Sequence, residues 1–303
     1  MINIYNNHHN GDVHLMRGVI NFFKKHAKDS LIASHKNSSR LTSDLCPTGP
    51  LDSHHNQSGP LSRFQGPLQI INSWFCQPQN QGMGEISLLN YVNTFMRIFP
   101  HAHKFMQDFI PPKYPGFNKE VDEKIEDLTR KDFQAQINIL ICNEDCESLQ
   151  HSNQDFSNVY KEVKAYYPIV KFFFANKRGN FQSLPGVDLE KELPRTKGQY
   201  GPATNLPEIS RLSHKMHIIV GGGSGPYEAT KVNVNLMNPV KSFVCYSNRH
   251  FDVLWADPIA LASGIWTKDS GILLQEGLIA AIERLKLAFF KDRIESPTLY
   301  LGG

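Results

Sequence analysis

Apolar and polar positions along the chain follow the pattern of strands that alternate with helices. Residues 1–5 form a short apolar run, and the polar turn NNHHNGD separates them from apolar residues at helical spacing. This spacing predicts a helix over 13–26, with Asp12 at the position of its N-cap. A second strand is predicted over 30–34. Strand, turn and helix in this order form the opening unit of an α/β layer.

The remainder of the first half is less regular. Residues 38–66 are rich in Ser, Pro, Gly, His and Asn without a period, which predicts a long surface loop. Strand character returns over 68–75. A helix with a broad apolar face is predicted over 86–99 and ends at Pro100. The charged helix predicted over 119–132 has only a thin apolar stripe, and we interpret it as a linker.

The second half alternates more clearly. Residues 137–142 are a near-continuous apolar run, which is typical of a parallel strand covered on both faces. The polar, Gly- and Pro-rich residues 176–202 interrupt the alternation. The other strands are predicted over 169–175, 216–221 and 241–247, and helices over 156–167, 206–214, 228–236 and 273–290.

The length of 303 residues is sufficient for two domains. We therefore predict an α/β protein with two Rossmann-like, doubly wound domains that face each other across a cleft. Residues 1–115 form the N-terminal domain, 116–135 the linker helix and 136–303 the C-terminal domain.

Composition and charge narrow the class of protein. With 40% hydrophobic and 20% charged residues, the chain is not collagen-like, coiled-coil or wholly disordered. The formal net charge of +3 is too small for a dedicated nucleic-acid binder. The five cysteines lack the spacing of a metal or redox motif. The chain begins without a signal peptide and contains no run of about 18 apolar residues, so we expect a cytoplasmic protein with reduced thiols.

The sharpest local signal is the glycine-rich segment VGGGSGPYEAT over 220–230, directly after a predicted strand. Backbone N–H groups at such a junction approach an anion closely, and the positive end of the next helix dipole favours a phosphate or diphosphate. The glycine spacing is not that of a dinucleotide fingerprint, which disfavours an NAD-dependent dehydrogenase, and no P-loop is present. A tight turn that requires positive φ is the alternative interpretation.

A second signal lies between the first strand and the first helix. Gly11, after Asn10, lets the chain turn and exposes amides at the start of the helix. Asp12 is either the N-cap or a carboxylate that is held at the cleft as a general base. His14, two residues further on, is a candidate for facing the cleft. The thirteen histidines show no spacing typical of metal ligands, so no metal site is predicted.

Two further groups of residues have a functional and a structural interpretation. Asn143, Gln150 and Ser152 follow the strand over 137–142, where doubly wound domains bind ligands, but they also fit a solvated loop. Basic residues gather in the first half, where they either solvate a helix face or attract an anionic substrate or membrane surface. These basic residues are Lys24, Lys25, Lys28, Lys36 and Arg40.

The motif N-G-D-V between the opening strand and helix resembles the first βα unit of lipopolysaccharide heptosyltransferases and related GT-B glycosyltransferases. The segments ILICNEDCESLQHSNQDFSNVYKEV (139–163) and HIIVGGGSGPYEAT (217–230) resemble the C-terminal half of glycosyltransferase-like proteins. This resemblance implies a GT-B fold with a reduced N-terminal domain on the acceptor side. It also implies a C-terminal domain that binds a nucleotide-sugar, and transfer to a glycan or lipid-linked acceptor without a metal or other cofactor.

The resemblance also implies roles for individual residues. Asp12 matches the base that deprotonates the acceptor hydroxyl, with His14 as the second catalytic candidate and Asn10 and Gly11 on the acceptor side. A lipid-linked acceptor implies peripheral association with a membrane surface. The donor site is predicted at Asn143, Gln150, Ser152, Gly222, Gly223, Ser224, Gly225, Pro226, Tyr227 and Glu228.

Two other functions fit the same sequence. A sugar-nucleotide epimerase or hydrolase with the GT-B fold would use the donor site without an acceptor. A non-catalytic protein would bind a nucleotide or phosphoglycan through the same glycine-rich loop.

Overall fold

The computed structural model describes most of both halves of the chain. The described residues are 1–51, 61–65, 68–73, 100–116, 119–131, 136–142, 156–221, 224–238, 240–245, 264–266 and 277–287. The helix predicted over 86–99 lies outside these ranges, as do both ends of the helix predicted over 273–290.

The described strands of the first half form one mainly parallel sheet in the order β3-β2-β1-β5-β4. The central strand β1 pairs in parallel with β2 and β5, and β4 is antiparallel to β5. The strands are β1 (Ile2–Asn6), β2 (Leu31–His35), β3 (Thr48–Gly49), β4 (Leu61–Gln65) and β5 (Leu68–Asn72).

The prediction of a loop over 38–66 was wrong for its described part. This segment contains β3, β4 and a short 3-10 helix, Ser39–Leu41. Both strands lie at edges of the described sheet. A short edge strand is held by backbone pairing with one neighbour, so its sequence does not need an apolar period.

Helix α1 (Asn10–His26) follows β1 and buries an apolar face against the sheet. The prediction that Asp12 is its N-cap was wrong. The N-cap is His9, and Asp12 is the third residue of the helix. Asp12 Oδ2 accepts a hydrogen bond of 3.1 Å from the backbone N–H of His9. An acidic side chain at this position stabilises a helix start because it binds back to the N-cap amide.

The described strands of the second half form a sheet in the order β11-β10-β9-β6-β7-β8, in which every described pair is parallel. The strands are β6 (Ile137–Cys142), β7 (Val170–Phe174), β8 (Val187–Asp188), β9 (Ile218–Gly221), β10 (Ser242–Cys245) and β11 (Gly264–Trp266). All six residues of β6 are buried. Ile139 and Ile141 face one apolar cluster and Leu140 faces another, which confirms that the strand is covered on both faces.

The described helices of the second half cover both faces of this sheet. They are α2 (Lys119–Thr129), α3 (Phe156–Tyr166), α4 (Leu189–Glu192), α5 (Leu206–Ser213), α6 (Gly225–Ala229) and α7 (Asn233–Leu236), and residues 277–287 are also helical. None of the described helices is long and apolar enough to cross a membrane.

The prediction of one helix over 228–236 was wrong, because two short helices, α6 and α7, occupy this region. Ser224 is the N-cap of α6. Its hydroxyl accepts from the N–H of Tyr227, which starts the helix three residues before the predicted position. The Thr230 hydroxyl donates to the Tyr227 carbonyl at 2.7 Å and takes up an acceptor at the end of α6.

One apolar cluster extends through both halves. It joins α1 to the helices of the second half, and includes Met16 and Phe23 from α1 as well as Ile209 and Leu212 from α5. A second cluster lies on the opposite face of the second sheet. The helices between the two sheets therefore belong to a single shared core.

Candidate functional site

Two turns that lie more than 210 residues apart in sequence meet between the two sheets. One is the first turn of α1, after β1, and the other is the first turn of α6, after β9. A Cβ placed on Gly11 would lie 2.9 Å from Cγ of Glu228, and one placed on Gly225 would lie 3.8 Å from Cβ of Asn10. Both turns stand at the carboxyl ends of parallel strands, where α/β proteins bind ligands. The structure therefore brings together the described residues of the two predicted segments.

The first turn of α6 is built from predicted donor-site residues. Ser224 and Tyr227 are almost fully buried, and Pro226 is buried beside them. A Cβ on Gly221 would lie 2.5 Å from the Tyr227 ring, so the absence of a side chain at the end of β9 lets this ring pack. The remaining predicted donor residues, Asn143, Gln150, Ser152, Gly222 and Gly223, lie outside the described residues.

The amino-terminal ends of α1 and α6 converge at this junction. Asn10 is the first residue of α1, and Gly225 is the first residue of α6. Asn10 Oδ1 is buried without a hydrogen-bond partner among the described residues. At the start of α6 only the N–H of Gly225 lacks an acceptor within the helix and its cap, because Pro226 has no N–H and the Ser224 hydroxyl accepts from Tyr227. The starts of both helices carry a partial positive charge. The junction therefore combines the features that favour a phosphate.

Glu228 belongs to a buried ion pair within the second half. Its Oε1 lies 2.6 Å from Nζ of Lys231, whose side chain is only 2% exposed. The Lys231 ammonium also stands over the Tyr227 ring, 4.6 Å from its centroid. The ion pair and the cation–π contact hold Glu228 against Gly11.

His14 is completely buried between the halves. Its Nε2 is 3.4 Å from the carbonyl of Lys231, so this nitrogen carries the proton, and Nδ1 accepts from the Tyr114 hydroxyl at 3.2 Å. The pKa of His14 is lowered to about 3, mainly by burial and further by the charge of Arg17. The ring is therefore neutral near neutral pH and links the halves through both of its nitrogens.

Arg17 and Tyr114 form a polar centre that the sequence analysis did not identify. The fully buried Arg17 makes a bidentate ion pair with Asp44, at 2.6 and 2.8 Å, and donates to the carbonyl of Leu41. Its guanidinium lies 3.7 Å from the centroid of the Tyr114 ring. Burial raises the pKa of Tyr114 well above its usual range, so its hydroxyl stays protonated. The sequence feature that indicates this centre is Arg17 itself, a charged residue on the apolar face of a predicted helix.

No protein family and no curated protein matches the amino-acid sequence. In structure, the chain is similar to the glycosyl transferase family 9 protein from Veillonella parvula DSM 2008. The TM-score is 0.53 with 11% sequence identity, over 95% of this chain and 97% of the other. The chain has a GT-B-type fold. The prediction of an α/β fold with two Rossmann-like sheets is confirmed, and at this identity the likeness shows the fold alone.

Other solved structures with lower scores include both glycosyltransferases and epimerases. The UDP-GlcNAc 2-epimerase from Neisseria meningitidis bound to UDP-GlcNAc has a TM-score of 0.48 with 11% identity, over 94% of each chain. The E. coli heptosyltransferase WaaC with ADP has a TM-score of 0.41 with 7% identity, over 97% of this chain and 98% of the other.

A second set of contacts joins the two halves of this GT-B fold beside the two turns. Arg40 from the first half forms an ion pair with Glu208 of α5 and donates to the carbonyl of Thr204 at 2.8 Å. The N–H of Ser39 donates to the carbonyl of Tyr200 at 3.1 Å. These contacts hold the halves in the arrangement that brings Gly11 against Glu228.

Metal ligands do not cluster in the part of the chain that the structure describes. No group of three or more His, Cys, Asp or Glu side chains there could hold a metal ion. The adjacent histidines His8 and His9 lie in the β1–α1 turn. Burial, with the charges of His9 and Lys36, lowers the pKa of His8 to about 4, so His8 is neutral near neutral pH.

Proposed function

We propose that this protein transfers a sugar from a nucleotide-sugar donor to a hydroxyl of a glycan or lipid-linked acceptor, without a metal. The contact between the two turns, Gly11 with Glu228 and Asn10 with Gly225, carries the proposal. It supports a site in which a carboxylate of the first half acts on the acceptor, while an anion-binding turn of the second half holds the donor.

The donor diphosphate is proposed to bind between the starts of α1 and α6. Ser224 and Gly225 lie at the start of α6, and Asn10 supplies an oxygen acceptor for a sugar or ribose hydroxyl. Two converging helix starts stabilise the negative charge that develops on the departing diphosphate. Because Gly11 and Glu228 are in contact, the two turns must separate when the donor binds.

Asp12 is proposed as the base. Its carboxylate is fixed by the N–H of His9 at the junction, where it would take the proton of the acceptor hydroxyl. The acceptor oxygen then bonds to the anomeric carbon as the bond from this carbon to the diphosphate breaks. His14 suits this role less well, because both of its nitrogens already have partners.

A lipid-linked acceptor would be met at a membrane surface. The exposed lysines Lys24, Lys25 and Lys28 would supply positive charge for peripheral association with anionic lipids.

The test measures ligand binding and turnover separately. Nucleoside diphosphates and their sugar conjugates are screened by thermal stability, because a ligand at about 100 times its Kd stabilises the folded state by roughly 2.7 kcal/mol. Asp12→Asn should bind the same donor as the wild type but lose transfer by about two to four orders of magnitude. Asp127→Asn, an exposed acid on α2, is the control and should leave transfer unchanged.

Three results would contradict the proposal. No stabilisation by any nucleotide would refute the donor site. Turnover of the nucleotide-sugar without an acceptor would identify an epimerase or hydrolase. Donor binding without turnover across an acceptor panel would identify a non-catalytic binding protein.

A further inference from the structure

A recess of about 460 Å³ lies at the amino-terminal edge of the second sheet, near the start of β6 and β9. Its wall carries three basic side chains, Arg130, Lys131 and Lys215, and one carboxylate, Glu126. The strands β6 and β9 are six and four residues long, so the recess lies roughly 13–20 Å from the turns at the carboxyl edge. It is therefore separate from the proposed donor and acceptor sites.

Among the described residues, two of these cations are held by exposed ion pairs. Nζ of Lys215 lies 2.7 Å from Glu126, with side chains 47% and 65% exposed. Arg130 lies 2.5 Å from Asp127, with side chains 76% and 65% exposed. Exposed pairs of this kind contribute little to stability, so both cations can turn to a more highly charged ligand at small cost.

His217 lies in the same wall as a neutral side chain. Its Nδ1 accepts from the backbone N–H of Asn138 at 2.9 Å, so its proton is on Nε2. Burial, with the charges of Lys131 and Lys241, lowers the pKa of His217 to about 4. The three cations of the wall outnumber the carboxylates of Glu126 and Asp127, which gives it a net positive charge, and an anion bound there would raise the pKa of His217.

The ends of two helices lie at this edge, and the last turn of α2 lines the recess itself. In α2 the Thr129 hydroxyl donates to the carbonyl of Ile125 at 2.7 Å, and the N–H of Arg130 donates to that of Asp127 at 3.3 Å. The last turn of α5 points its carbonyls towards this edge, but Lys241 already donates to the carbonyls of Ser213, at 2.6 Å, and His214, at 3.2 Å. The negative end of α5 is thereby satisfied by a different lysine.

We propose that this recess binds a phosphoryl group. A phosphate carries two charges and several acceptor oxygens, which match two lysines and an arginine. The group belongs either to a soluble phosphorylated molecule or to a lipid headgroup. This proposal is independent of the proposed glycosyl transfer, because the two sites share no residue.

The first experiment titrates the folded protein with inorganic phosphate and follows the histidine side chains by NMR. The His217 ring signals are assigned by their loss in His217→Gln. A saturable shift of these signals is expected with phosphate and not with chloride at matched ionic strength. His14, buried at the other edge, should not respond. If His217 shows no saturable response, the proposal is wrong.

A pair of double variants then tests the charge wall. Lys131→Ala with Lys215→Ala should weaken phosphate binding by about tenfold or more. Lys119→Ala with Lys161→Ala removes the same charge from exposed positions away from the recess and should leave the affinity unchanged. If both double variants weaken phosphate binding equally, the effect depends on net charge alone and the proposed site is wrong.

Sedimentation with vesicles distinguishes the two sources of the phosphoryl group. Binding to phosphatidylcholine vesicles that contain phosphatidic acid, lost in the Lys131/Lys215 variant, would assign the site to a lipid headgroup. Phosphate binding without vesicle binding would assign it to a soluble molecule.

Discussion

The close contact between Gly11 and Glu228 yields a prediction that tests the packing of the two halves. In Gly11→Ala, the new Cβ would lie 2.9 Å from Cγ and 3.3 Å from Cβ of Glu228. Carbon atoms in good contact lie about 3.5–4.0 Å apart, so the turns must separate by roughly 0.6–1 Å. Glu228 cannot simply swing away, because its carboxylate is held by the buried Lys231.

The magnitude follows from two opposing effects. Overpacking of this kind costs about 1–3 kcal/mol. Replacing a helical glycine by alanine returns at most about 1 kcal/mol, and less in the first turn. We therefore expect Gly11→Ala to lower the free energy of unfolding by about 1–2 kcal/mol. Urea unfolding followed by circular dichroism measures this difference.

Gly225→Ala is a matched control at the same junction. Gly225 also lies in the first turn of a helix, but its Cβ would meet only ordinary contacts, the nearest at 3.6 Å from Leu206. This variant should be neutral or stabilising by up to about 1 kcal/mol. If Gly11→Ala is as stable as Gly225→Ala, the turns are not in contact and the reasoning fails.

Two further predictions concern buried charges. Arg40→Ala should lower the free energy of unfolding by about 3 kcal/mol, because it leaves Glu208 buried and unpaired. Glu208→Gln keeps hydrogen bonds to Arg40, so it should lower the free energy of unfolding by less. Urea unfolding measures both changes. Burial lowers the pKa of Lys241 from 10.5 to about 7. Between pH 7 and 10.5 the unfolded chain therefore binds one more proton than the folded chain, so the free energy of unfolding should rise with pH. Lys241→Met should abolish this rise, and a rise of the same size in the variant would exclude Lys241 as its source.

The central strands could be predicted from the sequence because both of their faces are buried. β6 and β9 appear as apolar runs for this reason. The edge strands β3 and β8 could not, since each has two residues that are only partly buried and is held through its backbone. The local sequence pattern predicts a strand when both of its faces are buried. It does not predict a strand that is held mainly by backbone pairing with its neighbour.

The candidate site was only partly visible in the sequence. Gly11 and the segment over 220–230 stand out as turns before helices. Their contact depends on a missing side chain at Gly11 and on a partner more than 210 residues away, which no local pattern encodes. The N-cap was predicted three residues too late, at Asp12, because His9 takes this position.

The apolar cluster shared by both halves affects how the protein folds. Met16 and Phe23 on α1 are buried in the same cluster as Ile209 and Leu212 on α5. If the halves separated fully, each would expose this surface to water and lose its hydrophobic stabilisation. The molecule should therefore unfold as one cooperative unit, and neither half expressed alone should remain stably folded.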